Sequence, residues 1–235
     1  MPLDGSNPTL IEVYGGFEIS RKAEYDKVKG VTWLEKGGCL VVANVRGGGE
    51  FGPAWHQVAK KSGRHKTLED LFAVAEDLIQ TKVTSAKKLS VIGGSHGGLI
   101  VGNALVHRPD LWGAIVCTVP LLDMQRYNKL LAGASWMAEF GDPDTSDWEF
   151  MQKYSPYHNV DATKDYPPIL FTGSTRDDRV HPGHARRMCK KLLDMTKCEA
   201  MFYENIEGGH GGAADNRQMA RKSSIQFDFL WKKLG

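Results

Sequence analysis

The sequence lacks most features that would send it to a specialised class. Its four cysteines, Cys39, Cys117, Cys189 and Cys198, form no C-x-x-C pair, so zinc-ribbon and thioredoxin-like chemistry find no support. Cys39 and Cys117 lie in apolar runs, where a free thiol behaves as a small hydrophobe. No apolar stretch approaches the ~20 residues that span a bilayer. The start, Met1-Pro2-Leu3-Asp4-Gly5-Ser6, has neither the basic residues nor the apolar run of a signal peptide. Together these absences lead us to expect a cytoplasmic chain. There is no strong excess of either charge: the formal net charge is +2, and the basic residues come only in doublets such as Lys60-Lys61 and Arg186-Arg187. Nothing here calls for nucleic acid or a membrane as partner. Internal repeats and low-complexity tracts are absent as well.

What is present is a chain of 235 residues with 41% hydrophobic and 25% charged content, ordinary for one globular unit. With no linker in sight, residues 1–235 read as a single domain. Short apolar runs alternate with longer amphipathic ones. The runs predict strands at 9–14, 39–44, 89–93, 114–118, 169–173 and 199–203. Helices are expected over 26–36, from Thr67 as N-cap, from Ser95 to Arg108, after Pro182, and over 216–233. Such alternation predicts the α/β class: a mostly parallel sheet with helices on both faces. The stretch 121–168, rich in aromatics and turn residues, reads as a short helix and an elaborated loop.

Gly93-Gly94-Ser95-His96-Gly97-Gly98 sits between a predicted strand and a predicted helix, the context that G-x-S-x-G requires. A sharp turn there lifts the Ser95 hydroxyl above the sheet, and side chains at the glycine positions would collide with strand and helix. The alternative of a phosphate loop is disfavoured, because neither G-K-[ST] nor G-x-G-x-x-G occurs here. A serine nucleophile needs a base, and in this arrangement acid and base follow it in the chain. Of the eight histidines, His56, His65 and His96 precede or adjoin Ser95, His107 lies along the same helix, and His158, His181 and His184 crowd or precede the best acid. His210, in Gly208-Gly209-His210-Gly211-Gly212 after the last strand, is the expected base rather than an idle loop histidine. For the acid, Asp177 and Asp178 compete with Asp123, and spacing does not choose within the pair. The expected oxyanion donors are the His96 N–H and a group from the loop after the first strand, at Tyr14-Gly15-Gly16-Phe17. Tyr14 itself reads equally well as a strand-end aromatic with no chemistry. The whole set points to acyl transfer to water, with no cofactor and no metal needed.

These segments resemble the catalytic domain of the prolyl oligopeptidase family, serine peptidase family S9. Ala43-Asn44-Val45-Arg46-Gly47-Gly48-Gly49-Glu50, Arg108-Pro109-Asp110-Leu111, Tyr154-Ser155-Pro156 and Asp177-Asp178-Arg179-Val180 join the motifs above, in order. The resemblance implies an α/β-hydrolase fold. It selects Asp177 as the acid and makes the Tyr14 hydroxyl the second oxyanion donor. It implies that Trp136 stacks on a substrate proline, that Phe17, Phe140 and Val180 line the same pocket, and that Arg179 binds a substrate carbonyl. Without it Trp136 would read as a core or loop aromatic. His96 stands where Asn is common, a form similar to the acylaminoacyl peptidases, and Phe140 stands where Tyr is common.

No segment here can form the β-propeller that usually caps the site, and the usual first strands of the hydrolase sheet are missing. The sequence therefore reads as a fragment or a minimal hydrolase. It leads us to expect an open site, cleavage of peptides after proline and of small esters, and a first strand left as an exposed edge that invites pairing into a homo-oligomer. A carboxylesterase with little peptidase activity and a non-catalytic interaction module are the rival readings.

Overall fold

The computed structural model describes residues 2–235. Six strands form one wholly parallel sheet: β1 (Thr9–Val13), β2 (Cys39–Ala43), β3 (Leu89–Gly94), β4 (Ala114–Thr118), β5 (Ile169–Ser174) and β6 (Ala200–Asn205). Their order is β2-β1-β3-β4-β5-β6. The helices are α1 (Lys27–Lys29, continued by a π-helical turn over Gly30–Leu34), α2 (Pro53–Gln57), α3 (His65–Gln80), α4 (His96–His107), α5 (Met137–Phe140), α6 (Trp148–Met151), α7 (Gly183–Met195) and α8 (Asn216–Leu234).

The strands separate two cores by their period of two. Ile11, Val13, Val91, Ile115, Cys117, Ile169 and Phe171 point to the face covered by α3, α4 and α7. Their alternates Leu10, Ala114, Val116 and Leu170 meet Trp33, Phe227, Leu230 and Leu234 on the other face, where α8 lies. Strands covered on both faces read as nearly continuous apolar runs, which is why they are visible in the sequence. Helix α4 is buried from His96 to Val106, with no polar face.

Asp26 caps α1, its carboxylate accepting from the N–H groups of Val28 and Lys29. Thr67 is not an N-cap. A 3-10 turn over Lys61–Arg64 carries the chain into α3 two residues earlier, and the Thr67 hydroxyl instead donates to the Arg46 carbonyl at 2.7 Å.

The first strand is not an edge either. β1 pairs with β2 on one side and β3 on the other, because the chain crosses outward through α1 and returns outside it. The open edges belong to β2 and β6. The stretch 121–168 carries α5 and α6, with 3-10 turns between them. Its apolar residues, among them Tyr127, Phe140, Met151 and Tyr154, form a third cluster over Leu99 and Val180 at one end of the sheet.

Candidate active site

In a parallel sheet all strands end on the same rim, so the loops that follow them meet there. Tyr14 follows β1, Ser95 follows β3, Asp177 follows β5 and His210 follows β6.

Ser95 has φ 57° and ψ −116°, a left-handed backbone that a residue with a side chain rarely adopts. Its N–H donates to the Thr118 carbonyl at 2.9 Å, and its own carbonyl accepts from Gly98. The two flanking glycines make the turn possible. A Cβ at Gly93 would lie 2.5 Å from the Gly97 oxygen, and one at Gly97 would lie 2.5 Å from the Val13 oxygen. The residue after the serine, His96, opens α4, so its N–H is among the first of the helix, which have no partner within it.

Asp177 and His210 are joined. His210 Nδ1 lies 2.8 Å from Asp177 Oδ2 and 3.0 Å from Oδ1. Asp177 Oδ1 also accepts from the N–H groups of Arg179 and Val180, each at 2.9 Å. Burial raises the affinity of the Asp177 carboxyl for its proton. The imidazole and the two backbone donors outweigh that, and the group is held below the usual carboxylate range.

The His210 loop is pinned from below. Asn205 accepts from the Glu207 and Gly208 N–H groups and donates to the Gly212 carbonyl, while Lys222 Nζ donates to the Gly211 carbonyl at 2.7 Å. Among the described residues the Ser95 hydroxyl makes no hydrogen bond, so the contact from Ser95 Oγ to His210 is not formed. Such contacts are often long before substrate arrives and tighten in the complex.

Tyr14 is half-buried, and burial pushes its phenol up, which keeps the hydroxyl a donor. Phe17 and Trp136 are also half-buried, packed against the third cluster. Phe140 and Val180 stand behind them, at 0% and 3% exposure. The Phe140 ring stacks on His96 at 5.5 Å and meets Phe17 and Tyr127 edge-on. The hydroxyls of Tyr127 and Tyr154 donate to the Gly141 and Phe140 carbonyls and fix that turn. Arg179 is exposed. Asp123, the rival acid, is taken up by Arg126 at 3.0 Å and Arg187 at 3.1 Å.

Sequence reasoning missed a buried polar cluster beneath this surface. Arg64, with 0% exposure, donates to Glu139 Oε1 at 2.7 Å and to the Gly15 carbonyl at 3.1 Å. Glu139 also accepts from the Phe17 N–H at 3.2 Å and faces His56 Nε2 at 2.7 Å. Burial raises Glu139, yet Arg64 and the hydrogen bonds from His56, Arg64 and Phe17 bring it down to about 2. His96 Nε2 lies 3.0 Å from the Gly15 carbonyl, and burial beside Arg64 pulls its imidazole down to about 3, so the ring is neutral. Glu139 lies between Trp136 and Phe140, the aromatics that the resemblance singles out, but no spacing marks Arg64. Among the described residues no group of three His, Cys, Asp or Glu side chains is placed to hold a metal ion.

Comparison with known proteins is consistent along the chain. Residues 26–235 match the model of the prolyl oligopeptidase family. An uncharacterized peptidase of Sinorhizobium fredii is 49% identical over 99% of this chain and 32% of that protein. A prolyl endopeptidase of Elizabethkingia meningoseptica is 36% identical over 99% of the chain and 33% of that protein. The solved structure of a post-proline cleaving enzyme from Rickettsia typhi superposes with a TM-score of 0.96 at 41% identity, covering 100% of this chain and 34% of that one. The chain thus spans about a third of the length of the curated relatives it matches.

Proposed function

The chain belongs to the prolyl oligopeptidase family, and from that premise we propose that it is a serine hydrolase cleaving peptides after proline and small carboxylic esters as well. The observation that carries the reading is the strained Ser95 backbone on its glycine cradle, at the same rim as the Asp177–His210 pair. Ser95 Oγ attacks the scissile carbonyl carbon while His210 takes its proton, and Asp177 holds the imidazole tautomer and stabilises the imidazolium. The oxygen that gains charge accepts from the His96 N–H and the Tyr14 hydroxyl. When the tetrahedral species collapses, His210 returns the proton to the departing amine or alcohol. Water, activated by the same imidazole, then releases the acyl group. Trp136 and Phe17, backed by Phe140 and Val180, form a flat apolar wall suited to a proline ring, and exposed Arg179 is free to meet a carbonyl of the acyl side.

The test is a side-by-side assay of a proline-containing chromogenic peptide and a short-chain aryl ester, with Ser95→Ala as control and a fluorophosphonate probe on the parent protein. Turnover of both substrates, its loss in Ser95→Ala and labelling at Ser95 are expected. Folded protein that leaves the probe unreacted would overturn the hydrolase reading. Peptide turnover without ester turnover would remove the ester half.

A further inference from the structure

The proposed mechanism leaves one buried cation without a role. Lys222, on α8, is 9% exposed, and the single hydrogen bond of its ammonium is the one to the Gly211 carbonyl. Among the described residues no carboxylate pairs with it. A buried ammonium is costly unless it is paired, and among the described residues one carbonyl takes up only one of its three N–H donors. Burial lowers its proton affinity, as expected of a cation with no anion beside it.

Lys222 faces a cavity of about 350 Å³ whose wall also holds Glu12, Tyr14, Arg21, Lys29 and Gly94. Glu12, the one carboxylate of that wall, is engaged by Arg21 and by Lys29, the latter at 2.7 Å. Lys29 is also paired with Asp26 at 2.7 Å, and Arg21 lies 4.0 Å from Glu24. Among the described residues Lys222 is thus the one cation of the wall with no carboxylate beside it. The cavity's polar floor is committed elsewhere: Gln226 donates to the hydroxyls of Thr118 and Thr172, at 3.0 and 3.1 Å.

The cavity's place in the fold indicates what would enter it. Gly93 and Gly94, immediately before Ser95, line it, as does Tyr14. It opens on the face of the sheet that α8 covers, since Ile92 packs against that core and Lys222 and Gln226 come from α8. The aromatic wall of Phe17, Trp136 and Phe140 packs instead on Leu99 of α4, on the opposite face. Ser95 stands between the two. A peptide with its acyl half against Trp136 therefore carries its leaving half toward Lys222.

We propose that this cavity is a leaving-group subsite for a peptide's C-terminal carboxylate, with Lys222 as its main contact and Arg21 at its rim. The substrate class it selects is short peptides ending one or two residues beyond the scissile bond. The inference rests on the reading of Ser95 as nucleophile, which fixes which half of the peptide is the leaving one. The carboxylate would give the ammonium the anionic partner it lacks and leave with the amine product.

The test uses two peptides that differ in one group. Both carry proline followed by two alanines; one ends in a carboxylate, the other in an amide. In the parent protein kcat/KM is expected to be about tenfold higher for the acid, the scale of one charge-assisted hydrogen bond. In Lys222→Met the two peptides should come within about twofold of each other, and Lys222→Arg should restore most of the preference. Lys222 also supports the His210 loop, but a displaced loop slows both peptides alike and leaves their ratio unchanged.

A second arm needs no turnover. Calorimetric titration of the Ser95→Ala protein should show the acid bound about tenfold more tightly than the amide, and Lys222→Met in that background should erase the difference. Equal affinities, no detectable binding of the acid, or a preference that survives Lys222→Met would overturn the subsite. A binding preference in protein that cleaves neither peptide would uphold the subsite and overturn the hydrolase reading instead.

Discussion

Asp177 is constrained by what surrounds it more than by its position in the chain. One oxygen accepts two backbone N–H groups, and both oxygens face His210 Nδ1. Asn at this position keeps the shape but presents an N–H₂ where an acceptor is needed, which turns the imidazole to the wrong tautomer. Asp177→Asn is expected to lower kcat on the aryl ester by about 10⁴-fold with little change in KM, as steady-state kinetics would read. A loss under tenfold would mean that Asp177 does not orient the base. Ser95 stands out in the sequence because its motif is local. Spacing does not separate Asp177 from Asp178, and only the resemblance selects the first; the fold adds that Asp177 is buried and Asp178 exposed. Asp123, the other candidate, differs in a way no spacing carries: it is paired with Arg126 and Arg187, the second of which comes from α7.

At the scale of elements, the Arg64–Glu139 pair joins two segments far apart in sequence. Through Gly15 and Phe17 it grips the loop after β1, and through Glu139 it grips α5. Tyr14 and both halves of the aromatic wall thus hang on one buried ion pair. Removing a single partner leaves a buried charge alone, which costs about 3–5 kcal/mol. Glu139→Gln should lose stability on that scale in urea unfolding and raise KM for the proline peptide more than for the small ester. The double variant Arg64→Met with Glu139→Gln should be more stable than Glu139→Gln alone. If it is less stable, Arg64 is not the charge that Glu139 neutralises. The strands were legible to within two residues because each carries a cluster of apolar residues. The stretch 121–168 was not, because it has no period. It is shaped by tertiary bonds, such as those of the Tyr127 and Tyr154 hydroxyls to carbonyls 14 residues away.

For the whole molecule, strand order escaped the sequence because it is decided by where a crossover returns, and nothing in β1 or β2 alone says which lies outside. Acid stability is likewise a property of the assembled fold. His96 and His184 are buried at 0% and 2% exposure, and burial pulls them down to about 3 and about 4. In the unfolded chain both take up a proton near pH 6.5, the ordinary value. Between pH 6.5 and about 4 the unfolded state therefore binds more protons than the folded one, so stability falls as pH falls. With both histidines contributing fully, the slope reaches about 2.7 kcal/mol per pH unit. Glu139 acts in the same direction lower down. Its folded value is depressed from 4.5 to about 2, so its contribution is complete above 4.5 and is lost as pH drops toward 2. Urea midpoints measured at pH 7.5, 6.0 and 5.0 should fall steadily, and His184→Gln should roughly halve the slope below pH 6. Midpoints that hold constant down to pH 5 would mean that the interior admits protonated imidazole, and that the packing of His96 between Phe17, Phe140 and Arg64 is looser than its burial implies.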